Sequence, residues 1–197
     1  VFIGRDYQST KSYSEKFAAT IDDEVKLLID KAYDHCKQIL SDNGDKLNEV
    51  VAYLLDGSTG KQLAQSSCVN PQTRFGADVI SRIQYAMDTD AKIVSRVLKE
   101  ALADLTAKAA RAANVPLRLI TKACLVGNTA MHHLLLGIDP SSLTVPPYMP
   151  KVSQALEIPA DFLPISPNAV LRVLPNIAGF VGADTVGCFV ATRFDKL

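Results

Sequence analysis

The sequence carries no net charge: 21 Lys and Arg balance 21 Asp and Glu. A basic excess is what draws a protein to nucleic acid or to an anionic membrane, so neither partner is expected. Long apolar runs are missing too; none approaches the ~20 residues that span a bilayer. The N-terminus shows no basic segment followed by an apolar one, so no signal peptide is expected and the chain is read as cytoplasmic. Cysteine is sparse. Cys36, Cys68, Cys124 and Cys188 lie far apart, with no Cys-x-x-Cys pair. Zinc and iron–sulfur sites usually draw ligands from such pairs, so neither is expected. The four are read as buried, reduced thiols. Histidine occurs only at His35, His132 and His133. None stands in a His-Glu-x-x-His helix, which lets two imidazoles hold one zinc with a glutamate as base. The chain begins at Val1 and stops at Leu197 just past an apolar run, and both ends are read as cuts.

What is present divides into two kinds of text. Residues 12–42 predict one long helix, because Phe17, Ile21, Val25, Leu28, Ala32, Cys36 and Ile39 recur every three or four residues. Ser12 or Ser14 can cap it, and Asn43-Gly44 supply a stop. A helix with one apolar face has to dock on something. VVAYLL at 50–55 fits either a second helix or a strand. The strand is favoured, since Asp56-Gly57-Ser58-Thr59-Gly60 is turn chemistry and Gln62–Val69 can pair with it.

Beyond the hairpin, helix and strand signals alternate, which argues for an α/β sheet domain. Val79, Ile80, Ile83 and Met87 mark one helix face. Ile93, Val97, Leu98, Ala101, Leu102 and Leu105 mark another, ending near Asn114-Val115-Pro116. Leu119–Val126 suits a buried strand, and Thr129–Leu136 a helix stopped by Gly137. Eight of the ten prolines then fall between Pro140 and Pro175, predicting a loop-rich excursion. Val170–Leu174 is a further strand candidate and Asp184–Phe194 a further helix. No internal repeat is visible.

Several short motifs carry chemistry, each with a plainer alternative. Gly127-Asn128-Thr129 lies between a strand and a helix; Asn128 or Thr129 caps the helix, whose N-terminus attracts anions. The motif reads as a nucleotide or interdomain contact, or as a capped turn. Gly179-Phe180-Val181-Gly182-Ala183-Asp184 leads into another helix. There Gly182 admits a close neighbour and Asp184 caps or binds a cation or ribose, unless a tight helix crossing accounts for the glycines. Phe75-Gly76-Ala77-Asp78 repeats the Gly-Ala-Asp pattern, so two helix starts are expected to flank a cleft. Arg74 either lines that cleft or pairs with Asp78 at the surface. The adjacent His132 and His133 point about 100° apart on a helix, so one is expected inside and one outside, without a metal. Pro146-Pro147-Tyr148-Met149-Pro150 is a stiff segment, read as a partner surface or a loop clasp.

Two family resemblances follow from these texts. VFIGRDY, then YSEKFAATIDDEVKLLIDKAYDHCKQIL, then DKLNEVVAYLL resemble the peptidase domain of FtsH-type AAA+ zinc metalloproteases, C-terminal to its metal site. The zinc motif and any ATPase P-loop are absent from the sequence, so no protease activity is expected. VVAYLLDGSTGKQLAQSSCVNPQTRFGADVISRIQYAM, then CLVGNTAMHHLLLGIDP with PPYMP, then LPNIAGFVGADTVGCFVAT resemble the C-terminal domain of ATP-dependent reductive activators of corrinoid proteins. That resemblance implies a partial ASKHA (acetate and sugar kinase, Hsp70, actin) α/β domain at 50–197, preceded by a helical segment at 1–49.

It further implies ATP and magnesium as parent-family cofactors and a corrinoid protein as partner. The family couples nucleotide-driven lobe closure to reduction of an inactive Co(II) corrinoid. Its first phosphate loop, Asp-x-Gly-Thr, belongs just before VVAYLL, where this chain reads Gly44-Asp45-Lys46-Leu47-Asn48-Glu49. Its second belongs beyond Leu197, and its iron–sulfur domain lies elsewhere. Weak nucleotide binding and no ATPase activity are therefore expected. Gly76, Asp78, Gly127, Asn128, Thr129, Gly179, Gly182 and Asp184 remain the candidate cofactor-binding residues. An apolar face left uncovered makes a non-catalytic interaction module, binding partners or forming a homodimer, a further expectation.

Overall fold

The computed structural model describes residues 15–42 and 49–193. Two compact units divide the chain, Val1–Leu47 and Asn48–Leu197. In the first, helix α1 runs Glu15–Asp42, as the apolar spacing predicts. Its expected caps, Ser12 and Ser14, and its Asn43-Gly44 stop lie outside the described residues. Ile21, Val25, Leu28, Ile29, Tyr33 and Leu40 are all exposed along α1.

The second unit opens with the expected hairpin, strand β1 (Glu49–Leu55) antiparallel to β2 (Gln62–Val69). The turn settles the choice between helix and strand. The Asp56 carboxylate accepts from the N–H groups of Ser58 (3.0 Å) and Thr59 (2.7 Å), and from the Thr59 hydroxyl (2.8 Å). Such an Asx turn gives the backbone an alternative to helix, and Gly60 completes it in the left-handed region at φ 72°. One face of the hairpin is half-buried through Val50, Ala52 and Leu54. The Ser66 hydroxyl ties β2 to the next long helix by donating to the Leu105 carbonyl at 2.8 Å.

A 3₁₀ turn at Pro71–Phe75 precedes α2 (Val79–Asp88) and α3 (Ala91–Ala112). Helix α3 buries Val94, Val97, Leu98, Leu105, Ala109 and Ala110. It stops where Asn114 turns left-handed (φ 53°), two residues before Pro116. Helix α2 buries Arg82, Ile83 and Ala86; of the predicted face Ile83 and Val79 turn to the core, whereas Ile80 and Met87 are exposed.

Strand β3 covers Lys122–Leu125, half the predicted Leu119–Val126, because Leu117–Leu119 is a 3₁₀ turn after Pro116. Helix α4 is Thr129–Leu136, capped by Gly137 at φ 67°, as expected. The proline-rich excursion holds one unpredicted strand, β4 (Leu156–Pro159). Strand β5 is Val170–Val173 and helix α5 is Ala183–Thr192.

These strands form a sheet of order β3-β5-β4, with β5 parallel to β3 and antiparallel to β4. Pro159 is tolerated because it ends an edge strand, where a missing N–H breaks no interior ladder. Ala160, Ala169, Leu171 and Val173 make the sheet's core, with Phe162 and Leu163 packed on it. Burying a side chain such as Leu171 contributes about 1.5–3 kcal/mol. The cysteines correct the sequence reading: Cys36, Cys124 and Cys188 are exposed and Cys68 is half-buried. On β3 the side chains alternate, and Cys124 takes the outer face with Lys122.

Candidate functional site

Helices α4 and α5 begin against one another, and their starts are the best-built polar junction of the second unit. Asn128 is the N-cap of α4; its side-chain oxygen accepts from the Met131 N–H at 2.9 Å. Thr129 is 1% exposed and donates its hydroxyl to the Ala178 carbonyl at 2.8 Å. Gly182 is the N-cap of α5, with φ −99° and ψ −169°, an extended backbone open to any residue. Its need for glycine is steric. A Cβ there would collide with the Thr129 nitrogen and lie 2.7 Å from the Asn128 carbonyl carbon.

The N–H groups at the start of α5 are already taken. Ala183 donates to the Asn176 side chain at 3.2 Å, and Asp184 to the Gly127 carbonyl at 3.1 Å. Thr185 donates to the Asp184 carboxylate at 2.8 Å, so this exposed side chain serves its own turn. Asn176 belongs to none of the short sequence motifs above. It is buried, and its amide also donates to the Val152 carbonyl at 3.2 Å. Its only sequence signal is a polar residue after Pro175, just before the glycine-rich stretch.

Gly179 sits under the Pro146–Pro150 loop, and a Cβ on it would overlap the Tyr148 carbonyl oxygen. Tyr148, at φ 60°, stacks obliquely on Phe180 with ring centroids 5.4 Å apart. The stiff proline segment is therefore a clasp over the approach to α5.

The third expected start, at α2, is closed by its own helix. Asp78 and Ser81 form a reciprocal capping box: Ser81 N–H donates to the carboxylate at 2.8 Å and Asp78 N–H to the Ser81 hydroxyl at 3.3 Å. These bonds from Ser81 hold the Asp78 carboxyl below the usual range. Buried Arg82, not Arg74, folds back onto the Gly76 and Ala77 carbonyls at 3.0 and 3.2 Å. Arg74 lies over the Phe75 ring, 4.7 Å from its centroid.

A cavity of about 120 Å³ does lie where these elements meet. Its lining combines Val79, Ile80 and Ile83 of α2 with Asn128–Ala130 of α4 and Gly179-Phe180. Asp78, Gly182 and Asp184 do not line it. Sites for drug-sized ligands run to about 300–1,000 Å³. No cation faces this one, and the neighbouring helix-start donors named above are satisfied within the chain. A cavity of this size and lining does not fit a nucleoside triphosphate. Among them, no three His, Cys, Asp or Glu side chains come together to hold a metal ion.

The two histidines correct the expectation of one inside and one outside: His132 is 1% and His133 0% exposed. His133 Nε2 accepts the Lys151 N–H at 3.0 Å, so its Nδ1 carries the proton donated to the Thr129 carbonyl at 2.8 Å. Among the described residues, neither ring nitrogen of His132 has a hydrogen-bond partner. Burial first, and His133 second, push its pKa down to about 4.

The polar junction gives a direct expectation. Asn128→Ala removes the α4 cap and lowers stability by about 1 kcal/mol in urea unfolding, while Asn128→Asp retains most of it.

Comparisons with known proteins divide the chain as its two texts do. Residues 47–197 match the family model described as RACo middle region, and residues 1–65 match Peptidase family M41. The corrinoid activation enzyme RamQ of Eubacterium limosum is 33% identical over 151 residues, covering 75% of this chain and 26% of RamQ. A solved reductive activator for corrinoid, iron–sulfur protein superposes with a TM-score of 0.72 at 30% identity, covering 76% of this chain and 24% of that one. At the other end, the ATP-dependent zinc metalloprotease FtsH of Alkalihalophilus pseudofirmus is 48% identical over 59 residues, covering 30% of this chain and 9% of the protease. The chain thus spans about a quarter of the length of its corrinoid-activator relatives. The α/β architecture of the second unit is that of the superposed activator, a partial ASKHA-type domain. With its model matched across residues 47–197, the chain belongs to the RACo middle region family.

Proposed function

We propose that residues 50–197 are scaffold from an ATP-dependent reductive activator of corrinoid proteins, that residues 1–49 are a helical segment of protease type, and that this chain neither holds Mg–ATP tightly nor hydrolyses it. The corrinoid protein is the partner this reading assigns, and the cytoplasm its compartment. No helix of the described residues is long and apolar enough to cross a membrane. The observation that carries the inactivity is the closed state of the α5 start. There Ala183 and Asp184 donate to Asn176 and Gly127 where a phosphate would need them. The protease alternative has less support, because none of the three histidines stands in a zinc-binding helix motif.

Calorimetry with a non-hydrolysable Mg–ATP analogue tests the reading on the whole chain. The expected outcome is no binding tighter than ~100 μM. A tighter dissociation constant overturns it.

A further inference from the structure

We propose that a groove along α3 docks an acidic segment of a protein partner. The groove encloses about 530 Å³ and lies apart from the α4–α5 junction. Lys92, Arg96, Lys99 and Ala103 follow one another at helical spacing along its α3 wall. Ser95, Leu136 and Gly137 also line it, and Phe162 forms the opposite side. The Lys99 ammonium stands 5.4 Å from the Phe162 ring centroid.

The groove gathers three cations, Lys92, Arg96 and Lys99, in one lining with a single carboxylate, Glu100. Three cations outside it are neutralised by carboxylates: Lys108 lies 2.7 Å from Asp104, Lys151 lies 2.6 Å from Asp139, and Arg172 pairs with Glu157. In the groove only Arg96 has such a neighbour, Glu100, at 4.0 Å. Among the described residues, Lys92 and Lys99 have no carboxylate within ion-pair distance. Three cations against one carboxylate leave a local excess on a chain whose net charge is zero. Lys92 packs its stem near Gly137 at the C-terminal end of α4, which accounts for its position. It does not account for Arg96 and Lys99.

The geometry selects the occupant. Seven residues of helix separate Lys92 from Lys99, about 10 Å at 1.5 Å per residue. One small anion cannot meet both ends. Nucleic acid binds through many released counterions, and a short stripe beside Glu100 offers few. A peptide with carboxylates two or three residues apart spans the stripe, and an apolar side chain between them meets Leu136 and Phe162. Complementary charge steers such an encounter, and the apolar contact retains it. This proposal makes no use of nucleotide and stands whether or not the chain binds it.

The test is fluorescence anisotropy of the whole chain with a labelled glutamate-rich peptide carrying one phenylalanine, at low salt. The wild-type chain is expected to bind it. The double variant Arg96→Glu, Lys99→Glu weakens binding at least about tenfold, and Lys108→Glu, outside the groove, leaves it within about twofold. Should charge reversal disturb folding by circular dichroism, Lys92→Gln with Lys99→Gln replaces it and is expected to weaken binding about threefold or more. The proposal is overturned by any of four results. The wild-type chain fails to bind, the glutamine version of the peptide binds equally well, Lys108→Glu costs as much as the groove variants, or citrate or an oligonucleotide of equal charge binds more tightly than the peptide.

Discussion

Gly182→Ala is expected to lower the stability of the second unit by about 2–4 kcal/mol, while Gly57→Ala changes it by no more than about 0.5 kcal/mol. Both substitutions add one methyl group to a glycine outside the left-handed region. The difference lies in what the methyl meets. At Gly57 nothing stands within 4 Å. At Gly182 the obstacles are backbone atoms of Asn128 and Thr129, and that backbone is fixed from three sides. The Asn128 cap, the Thr129 hydroxyl on Ala178 and the Asp184 N–H on Gly127 all hold it in place. A flexible side chain could swing aside; a capped helix start cannot. Urea denaturation of the three proteins in parallel measures the contrast. Equal midpoints would mean that α4 and α5 are free to part, and that the close crossing is not a constraint.

The second large effect concerns neighbours in sequence with opposite roles. His133→Leu is expected to cost about 2–3 kcal/mol, because it leaves the Lys151 N–H without its acceptor inside the fold. His132→Leu is expected to gain about 1 kcal/mol near neutral pH, since it replaces a buried imidazole whose nitrogens meet no hydrogen-bond partner among the described residues by an apolar group of similar size. Acid separates them further. His132 is neutral in the folded chain down to about pH 4, whereas the unfolded chain takes up this proton below about 6.5. The unfolded state then binds more protons, so stability falls as pH drops through that window, by on the order of 3 kcal/mol in full. The His133 pKa is lowered as well, mainly by burial, and adds a loss of the same sign. Urea midpoints from pH 7 to pH 4 should therefore fall steeply in the wild type and less steeply in His132→Leu. Parallel slopes would show that His132 is not the group that titrates.

The histidine result also shows where sequence reasoning stops. Helical spacing gives the angle between His132 and His133 correctly. It does not say how much of the helix circumference is covered. Helix α4 is enclosed on more than one side: Ser95 of α3 donates to its Leu135 carbonyl at 2.5 Å, and the Lys151 backbone reaches His133. The run TAMHHLLL, apolar nearly all round, held that information, since such a helix is buried rather than amphipathic. Local chemistry was more legible. The Asp56 turn, the Gly137 stop and the Asn128 cap each follow from residue types within a few positions. Strand β4 did not, because Leu156–Pro159 is too short to show a period and contains a residue that ordinarily argues against strand. Asn176 and the Gly182 crossing depend on partners about 25 to 55 residues away, beyond the reach of any local pattern.

Asn176 has one further consequence. Its single buried amide holds the Val152 carbonyl on one side and the first N–H of α5 on the other, while α5 in turn leans on Gly127 and the start of α4. None of these segments can detach without breaking the bonds of the next. Three stretches scattered over the second unit are therefore expected to open together as one cooperative unit, with the amides of Ala183 and Asp184 exchanging hydrogen at matched rates.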